Sequence, residues 1–200
     1  MGCDIHLYVE RFHPTRQEWV PVKPQGLGTK LDKNGKVVTD WDSWAAFIEP
    51  ESELKQLADA GQLLEDVIPE SHEHCTWAFW RNYEAFGQLA GVRGREEPFI
   101  APRGLPDDLS SLLIPYFYSD TEGKWKYGKP IEYGSQTRWG DPDLHSAHHY
   151  DLYELEEALH SPLNNGVDGR IAELIKEMRK IAKLYNLSTV NVRVVFAFDN

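Results

Sequence analysis

Residues 190–199 constrain the fold most. Val190, Val192, Val194, Phe196 and Phe198 alternate with Asn191, Arg193, Val195, Ala197 and Asp199. Successive side chains on a strand point to opposite faces, so this segment is apolar on one face and half apolar on the other. That is the pattern of a central strand, with neighbours on both sides. The opening segment is its natural neighbour. Across residues 3–11, Ile5, Leu7 and Val9 fall on one face and Asp4, His6, Tyr8 and Glu10 on the other. After a polar turn at His13-Pro14-Thr15-Arg16, the run Trp19-Val20-Pro21-Val22 reads as a returning strand. Pro21 has no N–H for a ladder, which puts that strand at a sheet edge.

Helices are expected to cover this sheet. Pro50-Glu51-Ser52-Glu53 places acids at the start of a helix running to Gly61. Phe79, Tyr83, Phe86 and Ala90 recur at helical spacing within 77–90, with Gly91 as the C-terminal cap. Asp151 and Glu154 form a capping box for a helix to His160. A longer helix starts at Asp168 and carries the stripe Ile171, Leu174, Ile175, Met178, Ile181, Ala182 and Tyr185. Between these, residues 94–142 are punctuated by Gly and Pro and read as loops, with a short helix over 107–113 and a hairpin over 125–133. Gly26 to Gly35 is turn-rich, a loop or the tip of a hairpin.

The expected architecture is therefore α+β: a single domain over 1–200, whose small mixed or antiparallel sheet sets the N-terminal and C-terminal strands side by side. Several helices cover it, and the middle is long and irregular. Residues 23–75 read as an acidic, insertion-like segment; ten Asp or Glu stand against the single Lys55 in 40–73.

Composition narrows the function classes. Aromatic residues make up 12% of the chain, too many for a disordered one. A formal net charge of -11 argues against general nucleic-acid binding, which needs a basic face to displace counterions. No apolar run reaches the ~18–20 residues that span a bilayer. Cys3 and Cys75 cannot build a disulfide framework and read as free thiols, and there is no CxxC. A cytoplasmic domain is expected, and the aromatic content makes a homodimer reasonable.

Three groups of residues could carry chemistry. Asp4 and His6 project from one strand face about 7 Å apart, close enough to share an ion or a substrate, although every half-exposed strand has a polar outer face. Residues 143–149 hold His145, His148 and His149, and His145 and His149 would share a face in either a helical turn or an extended segment. Together Asp4, His6, His145 and His149 form a candidate set for one divalent ion, Zn or Mn. His72-Glu73-His74-Cys75 has metal-capable types but nothing elsewhere completes a structural zinc site. Finally, Arg81 in the first turns of the aromatic helix is disfavoured there by the helix dipole. Arg93 follows the cap, and Arg103 sits in the stiff loop Pro102-Arg103-Gly104-Leu105-Pro106. Guanidinium groups on rigid supports suit bidentate capture of phosphate or carboxylate, and Tyr83 could stack on a base. Pairing with the abundant acids is the ordinary alternative.

Several of these segments carry a resemblance: Met1-Gly2-Cys3-Asp4-Ile5-His6 with Glu10, Arg81-Asn82-Tyr83 through Ala90-Gly91-Val92-Arg93, Pro102 to Pro106 with Asp108, His145-Ser146, and Phe198-Asp199-Asn200. The chain resembles a family of uncharacterised proteins of tailed bacteriophages and prophages that opens with Met-Gly-Cys-Asp-Ile-His. The resemblance implies a phage gene product acting in the bacterial cytoplasm and brings no reaction with it. It favours Asp4, His6, Arg81, Tyr83, Arg93, Arg103, His145 and Ser146. The reading ranked first is an accessory protein that binds a small anionic, nucleotide-like ligand through Arg81, Tyr83, Arg93, Arg103 and Ser146, and so counters host defence signalling. The alternatives are a metal-dependent hydrolase of phosphate esters or nucleotides, and an acidic protein that occupies a host enzyme through residues 40–73. Whether the chain is an enzyme is left open.

Overall fold

The computed structural model describes residues 2–22, 30–31, 37–38, 79, 81–94, 97–119, 130–160 and 166–199. The expected helix over 50–61, the acidic stretch 40–73 and the His72–Cys75 cluster lie outside them. Strand β1 spans Ile5–His13 and returns through the turn at 14–17 as β2, Glu18–Val22. Lys30–Leu31 (β3) and Val37–Val38 (β4) form a short antiparallel ladder. Helix α1 covers Tyr83–Ala90, and α2 the single turn Ile114–Phe117. Next come β5 (Tyr118–Ser119), β6 (Ile131–Tyr133) and β7 (Gln136–Gly140). Then follow β8 (Leu144–Asp151), α3 (Leu152–His160), α4 (Gly169–Leu184), a 3-10 turn at Thr189–Asn191, and β9 (Val192–Asp199).

The main sheet has the order β2-β1-β9-β8 and is antiparallel throughout. The first and last strands are neighbours, β9 is central, and Pro21 lies in the edge strand β2. Both faces are covered. Ile5, Leu7, Val9, Val192, Val194, Phe196 and Phe198 pack against Phe86 and Leu89 of α1, Leu152 and Leu155 of α3, and Ile171, Ile175, Met178 and Ile181 of α4. The opposite face, with Tyr8, Val195, Ala197, Leu144 and Ala147, packs against Leu113, Phe117 and Tyr118. That second layer explains why the half-apolar side of β9 is also buried. Among the described residues no helix is long and apolar enough to cross a membrane.

Caps fix the helices where expected. Glu154 N–H donates to Asp151 Oδ1 at 2.8 Å, and Asp151 N–H to Glu154 Oε2 at 2.9 Å, a reciprocal capping box. Asp168 accepts from Arg170 N–H at the start of α4. Gly91 ends α1 at φ 68°, its N–H closing on Gly87 O.

Three expectations are corrected. Helix α1 begins at Tyr83, because the Asn82 side chain caps it by accepting from Ala85 N–H at 3.2 Å. Arg81 therefore precedes the helix. Residues 107–113 are turns, and the short helix lies over 114–117, with Pro115 in its first turn. The hairpin is β6–β7, turning at Gly134-Ser135, later than 125–133. Of the two conformations open to the histidine-rich segment, the extended one is found, as the edge strand β8.

Candidate functional site

The start of β1 and the end of β9 meet because the two strands pair antiparallel with Ile5 opposite Phe198. That register brings Asp199 beside Asp4: Asp4 N–H donates to Asp199 Oδ1 at 2.9 Å. The second oxygen of Asp199 lies 3.2 Å from His6 Nε2, with both side chains more than a third exposed. Asp199 thus orients the His6 ring through Nε2.

Arg81 reaches the same end. Its Nε and Nη2 donate to Asp4 Oδ1 and Oδ2 at 2.7 and 2.9 Å, a bidentate pair with both side chains at least half exposed. The Arg81 bonds hold the Asp4 carboxyl below its usual range, and Asp4 raises the guanidinium in return. The guanidinium lies across the backbone of Gly2. A Cβ at that position would stand 2.5 Å from Cζ, so a larger residue there would push the guanidinium aside. Arg81 and Tyr83 are set by the start of α1, which is tied to α4: Asn82 Nδ2 donates to Asp168 Oδ1 at 2.9 Å, and Gln88 Oε1 accepts from Asp168 N–H at 2.9 Å.

Arg93 is delivered by the chain leaving α1. After Gly91, Arg93 adopts φ 59° and Gly94 packs onto the helix. A Cβ on Gly94 would meet Gly87 Cα at 2.5 Å and Tyr83 O at 2.8 Å, so two glycines make this close approach. The Arg93 charge and hydrogen bond pull the Cys3 thiol down, but burial outweighs them and holds it above its ordinary value. Cys3 is therefore a protonated, buried thiol in the core, a poor nucleophile.

His145 completes the cluster from β8. It stacks on Phe198 at 5.9 Å, its Nε2 is 3.9 Å from Cys3 Sγ, and its Nδ1 is 3.0 Å from Ser146 Oγ. A chain of ring contacts runs from here through Phe198 and Phe86 to Tyr83, which is 38% exposed. Asp4, His6, Arg81, Tyr83, Arg93, His145 and Ser146 thus gather at one end of the sheet.

Arg103 and His149 do not join them. Strand β8 carries a bulge, in which Ser146 and Ala147 together face Ala197 and Ser146 takes φ 50°. One extra residue reverses the parity of everything after it. His145 and His148 consequently share the helix-facing side, opposite Phe198 and Phe196, while His149 turns to the other face opposite Val195. His6 stands opposite Ala197 and His149 opposite Val195, so the two flank β9 from opposite sides and two residues apart along it, roughly 12 Å at the usual strand spacing and rise. His149 Nδ1 lies 2.8 Å from Gly104 O. Arg103 is clamped by Glu154 at 2.7 and 2.6 Å and donates to His149 O at 3.1 Å.

The proposed ion set Asp4, His6, His145 and His149 does not fit a Zn or Mn ion. Asp4 serves Arg81, His6 and His145 lie on opposite faces, and His149 is a strand away. Among the described residues no three His, Cys, Asp or Glu side chains are grouped to hold a metal. Comparison with family models, curated proteins and solved structures finds no match to this chain.

Sequence reasoning missed two participants. Asp199 could have been found from the antiparallel pairing of the terminal strands, which sets residue 199 next to residue 4. Gly2 gave no local signal, because its place in the site arises only from Arg81 lying over it. Glu10, which shares the Asp4 and His6 face, is committed elsewhere. It is fully buried, accepts from Arg193 Nε at 2.6 Å and Ser110 N–H at 2.8 Å, and Arg193 in turn stacks 3.8 Å over the Trp19 ring. Burial pushes the Glu10 carboxyl up against the pull of Arg193.

Proposed function

We propose that the protein binds a small anionic, nucleotide-like ligand at this end of the sheet, with Arg81 and Arg93 taking the anion and Tyr83 stacking on a base. One observation carries the reading: two guanidinium groups and an exposed phenol ring, all borne by the α1 segment, come to the end of the sheet where Asp4, Cys3 and the ring of His145 lie. The structure around them sets these groups in advance, namely the Asp4 fork on Arg81 and the Gly87–Gly94 contact behind Arg93. A preorganised arginine loses less entropy when it captures an anion. Tyr83 lies edge-on to Phe86 at 5.8 Å, which supports its ring while leaving it accessible. Aromatic stacking of this kind contributes about 1–3 kcal/mol per base. Arg103 falls outside the site. In a phage setting, such a protein would withdraw a host signalling nucleotide and so blunt the defence that depends on it.

A thermal-shift panel of mono-, di- and cyclic nucleotides tests this. Ligand at about 100 times Kd stabilises by roughly 2.7 kcal/mol, or about 5–10 °C in a chain of this size. Arg81→Ala and Arg93→Ala should each reduce the shift, and the two together should remove it. Arg103→Ala should lower the Tm yet keep it. A flat panel, or a shift that survives loss of both Arg81 and Arg93, contradicts the proposal.

A further inference from the structure

The charges at the site nearly cancel: Arg81 and Arg93 stand among Asp4 and Asp199. Arg81 in particular already holds an anion. Its Nε–Nη2 edge, the edge that would grip a phosphate, is filled by the two oxygens of Asp4 in the fork geometry that phosphate would use. Both side chains are at least half exposed, so nothing but the pair itself keeps the carboxylate there.

We infer that Asp4 is a displaceable internal stand-in for the ligand: a terminal phosphate takes its place on Arg81, and the freed carboxylate turns towards His6. This rests on the anion-site reading above. His6 is already close enough for its charge to act on Asp4, and its Nε2 is oriented by Asp199. The displaced carboxylate therefore meets the imidazole of its own strand face. Gly2 leaves the space that the guanidinium occupies, so the site stays open to an incoming anion during the exchange. The exchange also selects a ligand class. A phosphodiester carries one negative charge and only replaces what Asp4 supplies. A terminal phosphate carries about -1.5 to -2 at neutral pH and gains on the carboxylate it displaces. The preferred ligand accordingly ends in a phosphate monoester or pyrophosphate.

The test is a double-mutant cycle read by isothermal titration, with adenosine 5′-monophosphate and inorganic pyrophosphate as probes. Asp4→Asn should tighten both by up to roughly fivefold, the most that an exposed ion pair yields. That gain should vanish in the Arg81→Ala background. Removing a negative charge would by itself favour any anion, so a gain that persists without Arg81 overturns the exchange. Binding by the wild type that Asp4→Asn fails to tighten overturns it as well and leaves the anion site standing. Failure of both probes with wild type and Asp4→Asn alike removes the site and the exchange together. Far-UV circular dichroism of each variant confirms that the fold is kept.

Discussion

Acidification offers the sharpest test of how the core is built, through His148. This imidazole is fully buried between Tyr150 and Phe196, with ring centroids 4.4 and 5.8 Å away. Both nitrogens are committed: Nε2 donates to Ile100 O at 3.1 Å and Nδ1 accepts from His149 N–H at 2.8 Å. Neutral imidazole with its proton on Nε2 satisfies both contacts. A second proton on Nδ1 would face an N–H and break that bond. Burial is the main force lowering His148 to about 4, joined by the nearby His149 and Arg103 and opposed by the Ile100 bond and Glu154. The unfolded chain takes up this proton near 6.5 and the folded chain only near 4, so the unfolded state binds more protons in between. Stability from this residue is present above 6.5 and drains away as the pH falls towards 4. Between pH 7.5 and 5 the loss works out at roughly 2 kcal/mol. Urea unfolding at pH 7.5, 6 and 5 should show it as a difference between wild type and His148→Gln, whose amide can keep the bond to Ile100 O. The variant starts less stable and its deficit shrinks by about 2 kcal/mol on acidification. A deficit that stays constant across this range would refute the reasoning.

Two other perturbations probe the supports of the site and the sheet. Gly94→Ala sets a Cβ against Gly87 Cα and Tyr83 O, both backbone. It should cost at least about 2 kcal/mol in chemical denaturation and abolish nucleotide-induced stabilisation by moving Arg93. Arg193→Leu leaves Glu10 buried beside Ser110 with its charge unpaired, at about 3–5 kcal/mol. The double change Glu10→Leu with Arg193→Leu should recover most of that loss in the same assay, and no recovery would show that the two residues act separately.

What was legible in the sequence is what strand and helix periodicity record locally. The alternations of 3–11 and 190–199 placed β1 beside β9. Asp151 with Glu154, Asp168 and Gly91 marked helix ends through bonds made within a few residues. Strand β8 was hidden because its bulge at Ser146 breaks the two-residue period just where the histidines fall. The same bulge made His145 and His149 look like partners. Arg81 was read inside a helix because Phe79 fits the helical stripe, whereas the Asn82 cap starts the helix later. The grouping of Asp4, His6, Arg81 and Arg93 rested on residue types suited to one ligand. Arg103 shared that chemistry, but its fate depended on Glu154, 51 residues away, and no local pattern reveals such a pairing.

The most direct test of the anion site is a titration of the isotopically labelled protein with inorganic pyrophosphate, followed through backbone amides and arginine Nε–H signals. The account predicts shifts concentrated at residues 2–6, 81–83, 91–94, 145–146 and 199, with the Nε–H of Arg81 among the largest. Shifts centred instead on Arg103, His149 and Glu154, or none at millimolar pyrophosphate, would contradict it.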